Sequence, residues 1–66
     1  METVRFIYRG LTILEYEPER KALRIREVAA DCKFIPEDMP LMAQFIMDCN
    51  AHQLGTGDVP EEVRVD

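Results

Sequence analysis

The sequence predicts a small α+β domain: a three-stranded antiparallel β-meander packed against one C-terminal α-helix and followed by an acidic tail. Three observations predict it. Residues 3–10, TVRFIYRG, alternate apolar and polar side chains with a period of two and end on a glycine. Residues 11–26 resume that alternation on both sides of Pro18. Residues 40–54, PLMAQFIMDCNAHQL, carry one formal charge, Asp48, and place apolar residues at helical spacing.

In the first strand Val4, Phe6 and Tyr8 share one side, with Thr3, Arg5, Ile7 and Arg9 on the other. Gly10 supplies the turn. Pairing Val4 with Tyr16, Phe6 with Leu14 and Tyr8 with Thr12 leaves Arg9-Gly10-Leu11 as a three-residue connection. On the reverse face that register sets Arg5 opposite Glu15 and Ile7 opposite Ile13, pairs that stabilise a sheet by a few tenths of a kcal/mol or more.

The segment EYEPERKALRIREV admits two readings. Ala22, Ile25, Val28, Ala29 and Cys32 recur at helical spacing, with Pro18 suited to a first turn. As a strand, the same segment makes Pro18 to Lys21 a turn and pairs Tyr16 with Leu23, Leu14 with Ile25 and Glu15 with Arg24. The strand is preferred because it satisfies both faces at once. Residues 16–26 also resemble the Tyr-x-Pro-Glu-x-x-x-Leu-x-Ile-Arg hairpins that open some short bacterial domains of unknown function, a likeness that implies a hairpin and transfers no activity. The expected inner face is then Val4, Phe6, Tyr8, Leu14, Tyr16, Leu23 and Ile25. The outer face carries Arg5, Arg9, Glu15, Arg24 and Arg26 around Ile7 and Ile13. Beyond Val28, AADCKFIP is open to three outcomes: an extended strand, a helical turn or an irregular crossing.

The helix has its signals at both ends. Asp38 is a good N-cap, Pro40 falls in the first turn, where its missing N–H does no harm, and Gly55 is a natural stop. At 100° per residue Leu41, Met42, Phe45, Ile46, Cys49 and His52 fall within an arc of about 140°, the expected core stripe. Ala43, Met47 and Ala51 form a second stripe on the far side, beside Asn50 and Gln44, without a charge. The tail TGDVPEEVRVD is acidic and poor in apolar residues, although VRV suits a short edge strand. The expected organisation is one domain over residues 1–55 and a flexible acidic tail over 56–66.

A chain of 66 residues makes one domain with a small core, which self-association commonly reinforces. No apolar run approaches the roughly 18 residues that span a bilayer. METVRFIYRG lacks the basic-then-apolar order of a signal peptide, so a soluble, cytoplasmic protein is expected. Cys32 and Cys49 sit in apolar surroundings and are expected as free thiols. The net charge of −5 disfavours nonspecific contact with nucleic acid or anionic lipid. Residues 1–33 carry seven Arg or Lys against six acids, a balance of +1, whereas residues 34–66 carry Arg64 alone against seven acids, a balance of −6.

Cys49, His52 and Asp48 share one helical turn within reach of Cys32, residue types that suit a metal site or a thiol nucleophile, but no CxxC, orienting group or oxyanion hole accompanies them. No metal, cofactor or small-molecule substrate is expected, and no catalytic residue. Arg5, Arg9, Arg24 and Arg26 form a candidate patch for an anionic partner. RNA-binding sheets expose aromatics for stacking, which here point inward, so a nucleic-acid partner is not expected. Of the methionines, Met42 is assigned to the core and Met47 to a partner. The expectation is a non-enzymatic adaptor or regulatory module, a homodimer or subunit, that binds a protein partner or itself through Ala43, Met47, Asn50 and Ala51. The alternative is an acidic inhibitor or nucleic-acid mimic whose Glu37, Asp38, Asp58, Glu61 and Glu62 engage a basic groove.

Overall fold

The computed structural model describes residues 2–66; residue 1, the first position of the expected domain, lies outside the described residues. Strands β1 (Val4–Tyr8), β2 (Leu11–Glu17) and β3 (Ala22–Ile25) lead into two short 3-10 helices, Glu27–Asp31 and Pro36–Asp38. Helix α1 (Met39–Gln53) and strand β4 (Val63–Val65) follow. The fold is α+β, but the sheet is mixed and has four strands in the order β3-β2-β1-β4, which corrects the expected antiparallel meander of three. β4 runs parallel to β1, pairing Val63 with Phe6 and Val65 with Tyr8, and the Arg9 N–H donates to the Val65 carbonyl at 2.6 Å. A meander leaves one edge of β1 with unpaired peptide groups, and the alternation in VRV fits that vacancy. Part of the stretch expected as a tail is therefore a strand, and Pro60 ahead of it is buried.

The first hairpin follows the expected register for Val4–Tyr16, Arg5–Glu15 and Phe6–Leu14, then shifts: Ile7 faces Thr12 and Tyr8 faces Leu11. The connection is therefore Arg9-Gly10, with φ of +50° and +85°, rather than the expected three residues. Two consecutive left-handed residues make the type of turn whose twist matches that of the flanking strands. The surplus residue on β2 is absorbed as a bulge at Ile13. Ile13 is fully buried in the core cluster, which corrects its expected place opposite Ile7 on the outer face.

The second hairpin has the expected pairs, Leu14–Ile25, Glu15–Arg24 and Tyr16–Leu23, extended by Glu17–Ala22. Lys21, at φ +53°, closes the turn through its N–H to the Pro18 carbonyl at 3.3 Å. The ambiguous segment is thus a strand that ends at Ile25 and gives way to the 3-10 helix at Glu27.

Helix α1 begins after Asp38 as expected, but the Asp38 side chain makes no capping hydrogen bond. At the other end Gly55, at φ +78°, donates to the His52 carbonyl, and the Thr56 N–H reaches back to the Ala51 carbonyl at 2.9 Å. These two bonds form a Schellman cap, which satisfies orphan carbonyls and turns the chain back along the helix. The core joins Phe6, Tyr8, Ile13, Leu14 and Tyr16 of the sheet to Phe45 and Cys49 of the helix. Met42 packs against this core and His52 is half-buried, whereas Leu41 and Ile46 are exposed. The core stripe is therefore narrower than the six residues expected. Ile25, placed on the inner face, is 69% exposed, because the helix rests against β1 and β2 and leaves the β3 flank uncovered.

The return of the chain to β4 passes close to the helix. A Cβ added at Gly57 would lie 2.9 Å from the Ala51 Cβ, closer than packed carbons tolerate. Gly57→Ala is expected to lift this loop and loosen β4, read as faster amide exchange at Val63 and Val65. The double variant Ala51→Gly, Gly57→Ala is expected to restore protection.

Candidate interaction surface

Three contacts between α1 and the sheet decide which helix face is left over. At the helix start the Tyr8 hydroxyl donates to Asp38 Oδ2 at 2.7 Å and accepts the Ile35 N–H at 3.3 Å, while its ring stacks on Phe34 at 4.4 Å. In the middle Phe6 meets Phe45 edge-on at 5.6 Å. Near the end the Tyr16 hydroxyl and His52 Nδ1 share a 2.6 Å hydrogen bond, with the rings at 89°. Asp38, Phe45 and His52 are seven residues apart in sequence, two helical turns, and so lie on one face.

The opposite face is bare. At 100° per residue Ile46, Met39, Asn50, Ala43 and Met47, with Leu54 just past the helix end, fall within an arc of about 100°. Each of them is exposed, Met47 at 64% and Leu54 at 70%. None is charged. The polar group among them, the Asn50 amide, donates to Gln53 Oε1 at 3.2 Å, and the nearby Gln44 amide donates to Asp48 Oδ1 at 2.8 Å.

Of the residues expected to meet a partner, Ala43, Met47 and Asn50 lie on this face, but Ala51 is half-buried beneath the Gly57 loop. The surface turns instead toward Met39, Ile46 and Leu54, of which sequence reasoning gave Ile46 to the core and assigned Met39 and Leu54 to no surface. The signal was present: Met39, Ala43, Ile46 and Asn50 follow steps of four, three and four, the spacing of a helix-pairing seam.

The register sets Arg5 and Arg24 on either side of Glu15 on one face of the sheet, and three of the four arginines are met by acids. Arg5 pairs with Glu62 at 3.0 Å, Arg26 with Glu15 at 3.1 Å, and Arg9 lies 3.9 Å from Asp38 and over the Tyr8 ring. Arg24 has no ion pair among the described residues. Of the acids in the alternative reading, Asp38 is held by Tyr8, and Glu62 lies between Arg5 and Arg64. A groove of about 390 Å³ between the helix and residues 57–63 is lined by Asp48, Asp58, Glu61 and Glu62.

Cys49 is fully buried and Cys32 half-buried, both as free thiols. Among the described residues no three His, Cys, Asp or Glu side chains are grouped to hold a metal ion, and no helix is long and apolar enough to cross a membrane. Burial pushes the Tyr16 hydroxyl pKa up, and burial with the nearby Asp48 charge pushes the Cys49 thiol from 9.0 to about 11.

No family model, no curated protein and no solved structure matches this chain.

A thiol whose folded pKa is raised binds its proton longer in the native state than in the unfolded state. Its stabilising contribution is intact below the unfolded value and is lost as pH rises through the folded one. Stability to urea is therefore expected to fall between 9.0 and about 11, less steeply in Cys49→Ala than in the parent chain. At neutral pH a thiol reagent is expected to modify Cys32 rapidly and Cys49 only on unfolding.

Proposed function

We propose that this chain is a non-enzymatic protein-interaction module, adaptor or regulatory in kind, that pairs with a second copy of itself through the uncharged face of α1. The observation that carries the proposal is the continuous exposed arc of Met39, Ala43, Ile46, Met47, Asn50 and Leu54 on a protein of net charge −5. Two acidic chains repel wherever acids face acids, and this arc brings no charge to the contact. Ala43 at its centre permits close approach of two helix backbones, and the methionines adapt to the opposing surface. A carboxamide both donates and accepts, so Asn50 can meet its own copy across a two-fold axis. A core of this size also gains from such a contact, because apolar area buried between copies adds to the little that one copy buries alone.

A second reading rests on the acid-lined groove between α1 and residues 57–63, which suits an inhibitor that occupies a basic site on a protein target. The two differ in their response to salt: contact through the arc persists at high ionic strength, and contact through the acids is screened.

Native mass by light scattering over a wide dilution range tests the proposal. A dimer is expected, unchanged between low and high salt. Met47→Glu and Ile46→Glu are each expected to weaken it at least tenfold, with the circular dichroism spectrum unaltered. A parent chain that is monomeric at every concentration would remove self-association through this face.

A further inference from the structure

The uncovered flank of the sheet carries a different surface. β3 stands at the end of the strand order and pairs with β2 alone. The Arg26 N–H donates to the Ile13 carbonyl at 2.9 Å. Ladder bonds alternate along an antiparallel strand, so Ala22 and Arg24 also direct their peptide groups at β2, while Leu23 and Ile25 direct theirs outward. On this edge the Ile25 side chain is exposed and Leu23 only half-covered. Beyond its end a groove of about 430 Å³ is lined by Arg24, Ile25, Arg26, Glu27 and Val28.

The charge along the edge runs against that of the molecule. Four of the eight Arg and Lys residues, Arg20, Lys21, Arg24 and Arg26, fall within residues 20–26 of a chain with net charge −5. Arg20 lies 3.8 Å from Glu17 and Arg26 is paired with Glu15, whereas Lys21 and Arg24 have no ion pair among the described residues. Cations on an edge strand commonly guard it against pairing with its own kind. A two-fold pairing of β3 with a second copy, centred on Arg24, would set Arg24 against Arg24. Guarding explains the charges but not an exposed isoleucine between two of them.

We propose that the β3 edge receives an extended acidic segment of a partner protein, added as a fifth strand. The outward peptide groups of Leu23 and Ile25 supply the ladder, Ile25 and Leu23 take an apolar side chain on the inner face, and Lys21 and Arg24 select acids. This surface is separate from the uncharged helix face and does not depend on self-association.

The probe is the synthetic peptide acetyl-SEVEIDS-amide, titrated to about 1 mM into the full chain, with amide shifts and exchange as readout; a millimolar dissociation constant is a detectable lower limit for so short a strand. Shifts and slowed exchange centred on Leu23 and Ile25 are expected, and none with acetyl-SKVKISS-amide. Arg24→Glu is expected to weaken binding at least tenfold. Ile25→Pro removes an outward donor without touching the β2 ladder, and is expected to abolish binding while Arg24 and Arg26 amides stay protected. Absence of any change at Leu23 and Ile25, or equal binding of the lysine peptide, would overturn the proposal. So would protection of this edge that grows with protein concentration alone, which would mean a second copy, or tighter binding of a single-stranded oligouridylate at the same residues.

Discussion

The two tyrosines on the inner face of the sheet bring hydroxyl groups into the core, and each must find a hydrogen-bond partner there. A buried polar group left unpaired costs about 1–3 kcal/mol, a large share of the stability of so small a domain. Tyr8 is answered by Asp38 and Tyr16 by His52, with the Phe6–Phe45 contact between them. These helix positions recur every seven residues, about 10.5 Å along the axis, and meet β1 and β2 in succession. The helix thereby has one permitted rotation and one direction across the sheet. Its exposed arc, its uncovered β3 flank and the place where the chain must turn back all follow from that alignment.

The hairpins were legible because period-two alternation and cross-strand pairing constrain each other: a register that pairs Arg5 with Glu15 also pairs Phe6 with Leu14. The bulge was not, because the preference of Arg9-Gly10 for a two-residue turn competes with strict alternation, and periodicity carries no term for the turn. The ends of α1 were legible from Asp38, Pro40 and Gly55. The width of its buried stripe was not, since an angular pattern says nothing of how much sheet lies beneath it. β4 has three residues and pairs with a strand far away in sequence, so its local signal was weak. At the candidate surface the missing charges singled out Met47, Ala43 and Asn50, which the fold leaves exposed. Ala51 was claimed instead by the Gly57 loop, a tertiary contact without a local trace.

The sequence separates a nearly neutral first half from an acidic second half, and folding partly undoes the separation. Arg5 meets Glu62 and Arg9 approaches Asp38, so cations of the first half are met by acids of the second. Exposed pairs of this kind contribute at most about 1 kcal/mol each to stability. Their larger effect is on what remains: the outer face around β1 is neutralised, positive charge persists along β3, and negative charge persists in the groove beside β4. One chain thus presents a basic margin, an acidic margin and an uncharged helix face in three directions.

The pairing of β1 with β4 also has a meaning in time. Phe6 and Val63 are adjacent in the sheet, yet an interval like that from Arg5 to Glu62, 57 positions, separates them along the chain. At a synthesis rate of about 5–20 residues per second, β1 is made roughly 3–11 seconds before its neighbour exists. Through that interval the hairpin of β1 and β2 has an open parallel edge lined by Phe6 and Tyr8, the side chains on which the core later depends. Closure of the sheet is a late, non-local step of high contact order, and the nascent chain passes through a stage in which its most apolar strand is half paired.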